Sequence, residues 1–373
     1  MRLGGFIKES GIVAATTLGA GIFALPYVFA VSGWLTGLFY LCIFSIIIIL
    51  VHFIYFRVLE KIREKNRLLG LIRTYLGSYA FGFGIFVVLA GLVLTLVVYL
   101  ILGSQFIKIL FPNLSPVAAT LIFWLLATTP FLFKERRSVL LETGGIALMA
   151  AAIVFIFFTS NPSGALAQLK IFDVKNIFLP FGAIFFSLAG WTAIEPVYGI
   201  EEDAKKNLTI PGQPYLAMIC GTTGTALLYL MFVMGILGSV LFITPDTISA
   251  LVGWQRFKII IIGVLGLSAI WTSYLPIGLE IKNSLESDLS WKPLYGLVLV
   301  AFLPPMLFLL GLNNFLKVIG LVGGVFVSLQ YLFIVLVGKK VLDPPGIKKL
   351  LFHLASAIFI LAAAYEIYYF IVG

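Results

Sequence analysis

The stretch "TTLGAGIFALPY", Thr16 to Tyr27, interrupts an apolar run long enough to cross a bilayer with two Thr, two Gly and one Pro. Gly is the costliest common residue inside a helix after Pro, and Pro removes an amide donor and pushes against the preceding turn. Gly19, Gly21 and Pro26 together predict an unwound segment between two half-helices. Unwinding frees carbonyls at the end of one half and amides at the start of the next. In lipid such groups are costly to leave bare, so the break must face protein or a water-filled cavity. A zwitterion suits it: the carboxylate meets the amides and the positive dipole end, while an ammonium or a cation meets the carbonyls. Taken alone, a Gly-x-Gly has a plainer explanation, the close packing of helices through small residues.

Outward from this stretch, composition identifies the solvent. The 373 residues are 61% hydrophobic and 11% charged, against roughly 25% charged in soluble domains. This is an integral membrane protein. Apolar runs that would cross a hydrocarbon core as helices lie near 9–31, 33–56, 81–111, 115–133, 138–159, 176–200, 213–243, 257–281, 293–311, 315–338 and 350–372, about eleven in all. No water-soluble domain is visible, so 1–373 is read as one transmembrane domain. The longest polar connection, from Arg57 to Gly82, mixes bases with leucines and predicts a short amphipathic helix on the inner surface.

With the N-terminus inside, the inner segments carry Arg2, Lys8, Arg57, Lys61, Arg63, Lys65, Arg67, Arg73, Lys134, Arg136, Arg137, Lys205, Lys206, Lys282, Lys292, Lys339, Lys340, Lys348 and Lys349. The outer ends carry Lys108, Lys170, Lys175, Arg256, Lys258 and Lys317, a split of 19 to 6 among 25 basic residues. That bias predicts a multi-pass protein of the cell membrane with a cytoplasmic N-terminus and, with eleven spans, an extracellular C-terminus. The net charge of +9 is therefore a topology signal, and it gives no support to a nucleic-acid partner. The first span is too long and too broken for a secretory signal. Cys42 and Cys220 fall within spans and imply no disulfide framework.

The break recurs. "LGAGIFALP", Leu18 to Pro26, aligns with "LAGWTAIEP", Leu188 to Pro196: each begins at Leu, carries small residues in its first half and ends at Pro eight positions later. The first lies in span 1 and the second in span 6, the leading spans of two halves at about 9–159 and 176–338, with an extra helix at 350–372. Five spans is an odd number, so the second half sits upside down relative to the first. This is the pattern of an inverted-repeat transporter, with paired broken helices forming a site near the bilayer midplane. The expected fold is thus all-α, a 5+5 inverted repeat plus one C-terminal helix. Leu25 in the first copy stands opposite Glu195 in the second, and an intramembrane carboxylate is either a proton-coupling site or a hydrogen-bonded pin. Glu142 lies near the inner headgroups, where hydration explains it, and Glu280, close to the inner end of span 8 with Lys282 two residues on, fits either an inner gate or solvent pairing.

His52 and His353 stand alone, without partners at metal-ligand spacing. Trp34, Trp254 and Trp291 read as interface anchors, whereas Trp191 falls inside the second break, where it would touch a substrate. Tyr99, Ser104, Gln105 and Tyr274 are weaker candidates for side-chain recognition.

"TTLGAGIFALPYVFAVSGW" resembles the first span of amino acid transporters in the amino acid, polyamine and organocation superfamily. "FFSLAGWTAIEPVYGIEED", Phe185 to Asp203, resembles their sixth span, "TSYLPIGLEIKNSL" the end of the eighth and "NNFLKVIGLVGG", Asn313 to Gly324, the start of the tenth. The eleven-span amino acid/auxin and aromatic amino acid permease branch is the most similar. The resemblance implies a LeuT-type fold, alternating access, and a small amino acid or related amine as cargo. It implies that the backbone of Thr17, Leu18, Gly19, Ala20 and Gly21 cradles the substrate carboxylate, and that Ser187, Ala189, Gly190 and Trp191 serve the ammonium and side chain. It also implies a sodium site between span 1 carbonyls at Leu18 and the hydroxyls of Thr272 and Ser273. Where several sodium-coupled members carry Asn in span 1, this chain has Ala15, which leaves a proton as the competing coupling ion. "TPDTISALVGWQRF", Thr244 to Phe257, stands where the family caps its outer vestibule, and Thr244-Pro245-Asp246 is a helix-start signal.

Other classes are disfavoured. There is no His-Glu helix motif, Cys/His cluster or nucleotide-binding loop to make a membrane enzyme. Paired broken helices favour an alternating site over an open pore, and no organic cofactor is implied.

Overall fold

Apolar segments in lipid satisfy their amides internally, and every regular element in the computed structural model, which describes residues 2–62, 67–132, 139–161, 169–206, 213–240 and 242–372, is a helix. The inner basic residues Arg63, Lys65, Lys134, Arg136 and Arg137 lie outside the described residues, as do the side chains of Glu142, Lys205, Lys206 and Lys348.

The first span is α1 (Arg2–Thr17), a tight 3-10 turn (Ala20–Ala24) and α2 (Leu25–Ser32), with a bend of 47° between its halves. Its helix begins at Arg2, seven residues before the expected start. Next come α3 (Trp34–Ile62), the short α4 (Leu68–Leu76), α5 (Ser78–Leu110), α6 (Pro116–Leu132) and α7 (Val139–Thr159). The sixth span is broken like the first, into α8 (Pro180–Leu188), a 3-10 turn (Trp191–Ala193) and α9 (Ile194–Lys206).

Then follow α10 (Pro214–Leu237), a 3-10 turn at Ile248–Gly253, and α11 (Arg256–Asn283), which continues as a π-helical turn at Ser284–Asp288. After α12 (Pro293–Leu309), the tenth span runs as α13 (Phe315–Gly320), a π-helical segment (Leu321–Val327) and α14 (Ser328–Leu342), and α15 (Ile347–Val372) closes the chain. Among the described residues, seven helices are long and apolar enough to span by themselves and the bent first pair passes together; Pro116–Phe131, Ala147–Thr159 and Pro293–Leu309 are shorter.

The burial of each helix follows its place in the bundle. Ser78–Leu110 and Phe315–Leu342 are each 78% buried over their most apolar stretch, and Lys349–Ile371 is 28% buried. The last helix is therefore peripheral, as expected of an addition to two repeats. The amphipathic α4 sinks Leu68, Leu69, Leu71 and Ile72 into the core, and Arg73 lies over the Phe81 ring.

At the other end of the bundle, the turn between α2 and α3 is fixed by the segment that leads into α8. The Trp34 and Leu35 amides donate to the carbonyls of Lys170 and Ile171, at 3.1 and 3.2 Å, and the Asp173 amide donates to Ser32 at 3.0 Å. The Lys170 ammonium, 2.8 Å from Asp173, holds that carboxyl below its ordinary range. Gly33 sits at φ 94°, with Ile171 O 2.6 Å from where a Cβ would project. Gly33→Ala meets both the left-handed backbone and that clash, and should destabilise the fold by about 1–3 kcal/mol. The check is the thermal unfolding midpoint of the purified variant in detergent.

Candidate functional site

The two breaks pack directly on each other. A Cβ on Gly21 would lie 2.6 Å from Ser187 Cα, and a Cβ on Gly190 would lie 2.7 Å from Thr17 Oγ1. Each break thus uses a glycine to admit a hydroxyl residue of the other. Thr17 and Ser187 in turn direct their hydroxyls back to Val13 O and Ala183 O, at 2.8 and 2.7 Å, closing the last turns of α1 and α8.

Two tyrosines satisfy backbone groups that the breaks release. The Tyr229 hydroxyl, on α10, lies 2.5 Å from Thr17 O and 2.6 Å from Ser187 O, so one phenol proton is shared between the carbonyls that end both first half-helices. The Tyr331 hydroxyl, on α14, accepts the Gly190 amide at 3.1 Å and contacts His52 Nε2 at 3.0 Å. His52 is fully buried, and its Nδ1 has no partner among the described residues. The Trp191 indole donates to Gln330 Oε1 at 2.8 Å, and the Gln330 amide donates to Val87 O at 3.3 Å. Spans 2, 3, 6, 7 and 10 are thereby tied to the two breaks.

Between the breaks lies a cavity of about 50 Å³, space for a few waters. Thr17, Gly19, Ala20, Gly21, Ser187, Ala189, Gly190 and Trp191, the residues expected to meet a substrate, all line it. Tyr99 completes one wall, its hydroxyl 3.0 Å from a Cβ placed on Gly19. Thr16, Thr95, Thr192, Ile277, Val327 and Gln330 also line it and were not singled out from the sequence. Gln330 carried a readable signal, an amide in the apolar run "FVSLQYLFIV". Ser104, Gln105 and Tyr274 do not line the cavity; Ser104 bonds back to Ile101 O and Tyr274 reaches Val300 O.

Of the residues expected at an ion site, Leu18 is buried outside the cavity lining. Thr272 and Ser273 both donate to Ala269 O at 2.9 Å, and Thr272 packs against Gly145 on α7. Glu195 also lies outside the lining, one turn beyond Trp191. The Tyr55 hydroxyl donates to its Oε1 at 2.6 Å, and Arg67 Nε is 3.8 Å from its Oε2. Arg67 also pairs with Glu280 at 2.8 Å, and Ser284 reaches the other Glu280 oxygen at 3.4 Å. Arg67 thus joins α9 to α11 across the Lys/Arg-rich end of the bundle. Removing one partner from such a part-buried network leaves an uncompensated charge.

The opposite end has its own closure. Thr247, buried and at φ 60°, donates its hydroxyl to Phe23 O at 2.6 Å. Asp246 holds the preceding turn by accepting from the hydroxyls of Thr244 and Ser249, both at 2.7 Å. Phe23 packs edge-on against Phe106 and Phe232, with ring centres 5.1 and 5.5 Å apart. The segment expected to form a short helix does so as a 3-10 turn at Ile248–Gly253, which packs on α5, while Thr247 just before it reaches the first broken span.

No family model and no curated protein sequence matches the chain. Solved structures do. Mhp1, a nucleobase-cation-symport-1 family transporter in a closed conformation with bromovinylhydantoin bound, superposes with a TM-score of 0.60 at 14% identity, covering 88% of this chain and 77% of its own. Its inward-facing conformation gives 0.59 at 14% identity, covering 88% and 76%. A manganese transporter of Eremococcus coleocola, in complex with an aromatic bis-isothiourea substituted compound, gives 0.60 at 13% identity, covering 98% and 94%. At these identities the likeness establishes the fold: an all-helical LeuT-type bundle with broken first and sixth spans.

The tyrosine bridge yields a direct test of what holds the breaks together. Tyr229→Phe leaves the Ser187 carbonyl without its donor while Thr17 O keeps the Gly19 amide at 2.9 Å, and an unsatisfied buried group costs about 1–3 kcal/mol. The variant should unfold at a lower temperature than the parent in the same detergent.

Proposed function

We propose that this chain is a secondary active transporter that carries a small amino acid or related amine by alternating access. One observation carries the reading: residues of both broken helices converge on a single cavity deep in the bundle. The 3-10 turn that begins at Ala20 has first amides without partners inside the helix, and its dipole favours a carboxylate. A carbonyl has two lone pairs; Thr17 O accepts from both Tyr229 and the Gly19 amide, whereas Tyr229 leaves one lone pair on Ser187 O for an ammonium. Trp191 and Tyr99 would form walls for the cargo's side chain. Small ligands favour such concave sites with a few convergent polar groups.

In this reading the Arg67–Glu195–Glu280 network is the inner gate and the Thr247–Phe23 contact belongs to the outer one. The Lys/Arg-rich end faces the cytoplasm. Inward opening must part Arg67 from at least one carboxylate. A proton on Glu195 removes one of the two charges that hold Arg67, leaving it paired with Glu280 alone, and leaves the Tyr55 contact able to reorganise. Glu195 is therefore our choice for coupling proton movement to the gate, although it does not touch the cargo. The sodium alternative rests on Thr272 and Ser273, whose oxygens keep lone pairs free for a hard cation.

Two measurements address the reading. In proteoliposomes, saturable counterflow of the cargo identifies a carrier; Glu195→Gln should abolish accumulation driven by a pH gradient and spare counterflow. Unchanged pH-driven uptake in that variant would remove Glu195 from the coupling step, and loss-free exchange without any gradient dependence in the parent would make the protein an exchanger. Second, an amino acid panel should raise the unfolding temperature of the purified protein, since a ligand at 100 times its dissociation constant adds about 2.7 kcal/mol. Repeating the panel with and without sodium, in the parent and in Thr272→Val, decides between the ions. Stabilisation by no amino acid under any condition defeats the cargo assignment.

A further inference from the structure

Glu366 lies on α15, the peripheral helix, and is only 6% exposed. An acidic side chain on the rim of a membrane bundle would ordinarily point to water or headgroups, because burial within the span is costly. Here the neighbouring helices are shaped around it. Gly182 on α8, Gly320 on α13 and Gly324 in the π-helical segment all face it, and a Cβ on Gly182 would lie 2.6 Å from Glu366 Oε1. The Gly182 amide, in the first turn of α8, meets the carboxylate, in keeping with the free amides and positive dipole of a helix start.

The carboxylate borders a cavity of about 270 Å³ that shares no lining residue with the central one. Its walls include Tyr27, Phe178, Tyr365 and Tyr369. The Phe178 and Tyr365 rings are 4.8 Å apart, and Tyr365 stacks on Tyr369 at 6.3 Å. Lys317, also in the lining, is exposed. A buried anion among aromatic rings selects a cation, through charge and through the ring faces. An exposed ammonium across the same cavity selects an anionic oxygen group. The volume approaches the lower range of small-molecule sites.

We propose that this cavity is a second ligand site, separate from the central one, for a zwitterion that presents a primary ammonium to Glu366 and an anionic group to Lys317. Such a molecule reaches the cavity from two sources. The headgroup of an aminophospholipid can enter from the bilayer, since Tyr369 and Phe370 are exposed beside it, and a soluble zwitterion can enter from water. The proposal is independent of the transport reading, because its site and its test do not involve the central cavity.

The test uses the full chain in nanodiscs, with unfolding temperature and equilibrium binding as readouts. One arm compares phosphatidylethanolamine discs with phosphatidylcholine discs; the other adds O-phosphoethanolamine to phosphatidylcholine discs. Binding in the first arm alone assigns the lipid source, and binding in the second assigns a soluble one. In either case Glu366→Gln and Lys317→Gln should each weaken the dissociation constant at least tenfold. Lys317 is exposed, so its variant keeps the fold and decides the matter should Glu366→Gln fail to fold. Absence of binding in both arms, or parental affinity in Lys317→Gln, overturns the proposal.

Discussion

Breaking a helix inside a membrane releases backbone groups that have no water to bond, and the centre of this protein is organised around that constraint. Two breaks lie side by side, each admitting the other through a glycine: Gly21 against Ser187, and Gly190 against Thr17. Tyr229 then takes the carbonyls on one side of both breaks, and Tyr331 takes the Gly190 amide on the other. Because the tyrosines come from α10 and α14, the bundle helices support the interruption that they surround. The cavity is what remains between the breaks after those partners are in place.

The same arrangement gives the two ends of the bundle different chemistry. At the basic end the contacts are charged, with Arg67 between Glu195 and Glu280. At the opposite end a hydroxyl on strained backbone and a cluster of Phe rings close over Phe23. Charged contacts respond to protonation and salt, whereas apolar contacts respond to volume and hydration. The two ends are therefore under separate physical control.

Much of this was legible in the sequence. Gly19, Gly21 and Pro26, matched by Gly190 and Pro196, announced both breaks because Gly and Pro act through the local backbone alone. The residues that the breaks themselves present to the cavity could be named from the same two stretches, whereas Thr95, Ile277, Val327 and Gln330 come to it from other spans. Sequence reading stopped where a role depends on a distant partner. Ser104 and Gln105 looked polar enough to serve the site, yet their positions on α5 turn them from the cavity. Tyr229 and Tyr331 carry no local signal, because groups they satisfy lie 212 and 141 residues away. Glu366 carries no local signal either, because the glycines that enclose it lie on other helices.

The sequence by itself determined the solvent, the helical class, the repeat and the location of the breaks, all of which follow from hydropathy and local backbone preference. Only the tertiary structure decided that Glu195 belongs to an ion-pair network at the basic end and not to the cavity wall. It likewise decided that Glu366 is enclosed by glycines of α8, α13 and the adjoining π-helical segment. The reason is physical: the state and role of a buried charge depend on which groups surround it, and here those groups come from other helices far along the chain.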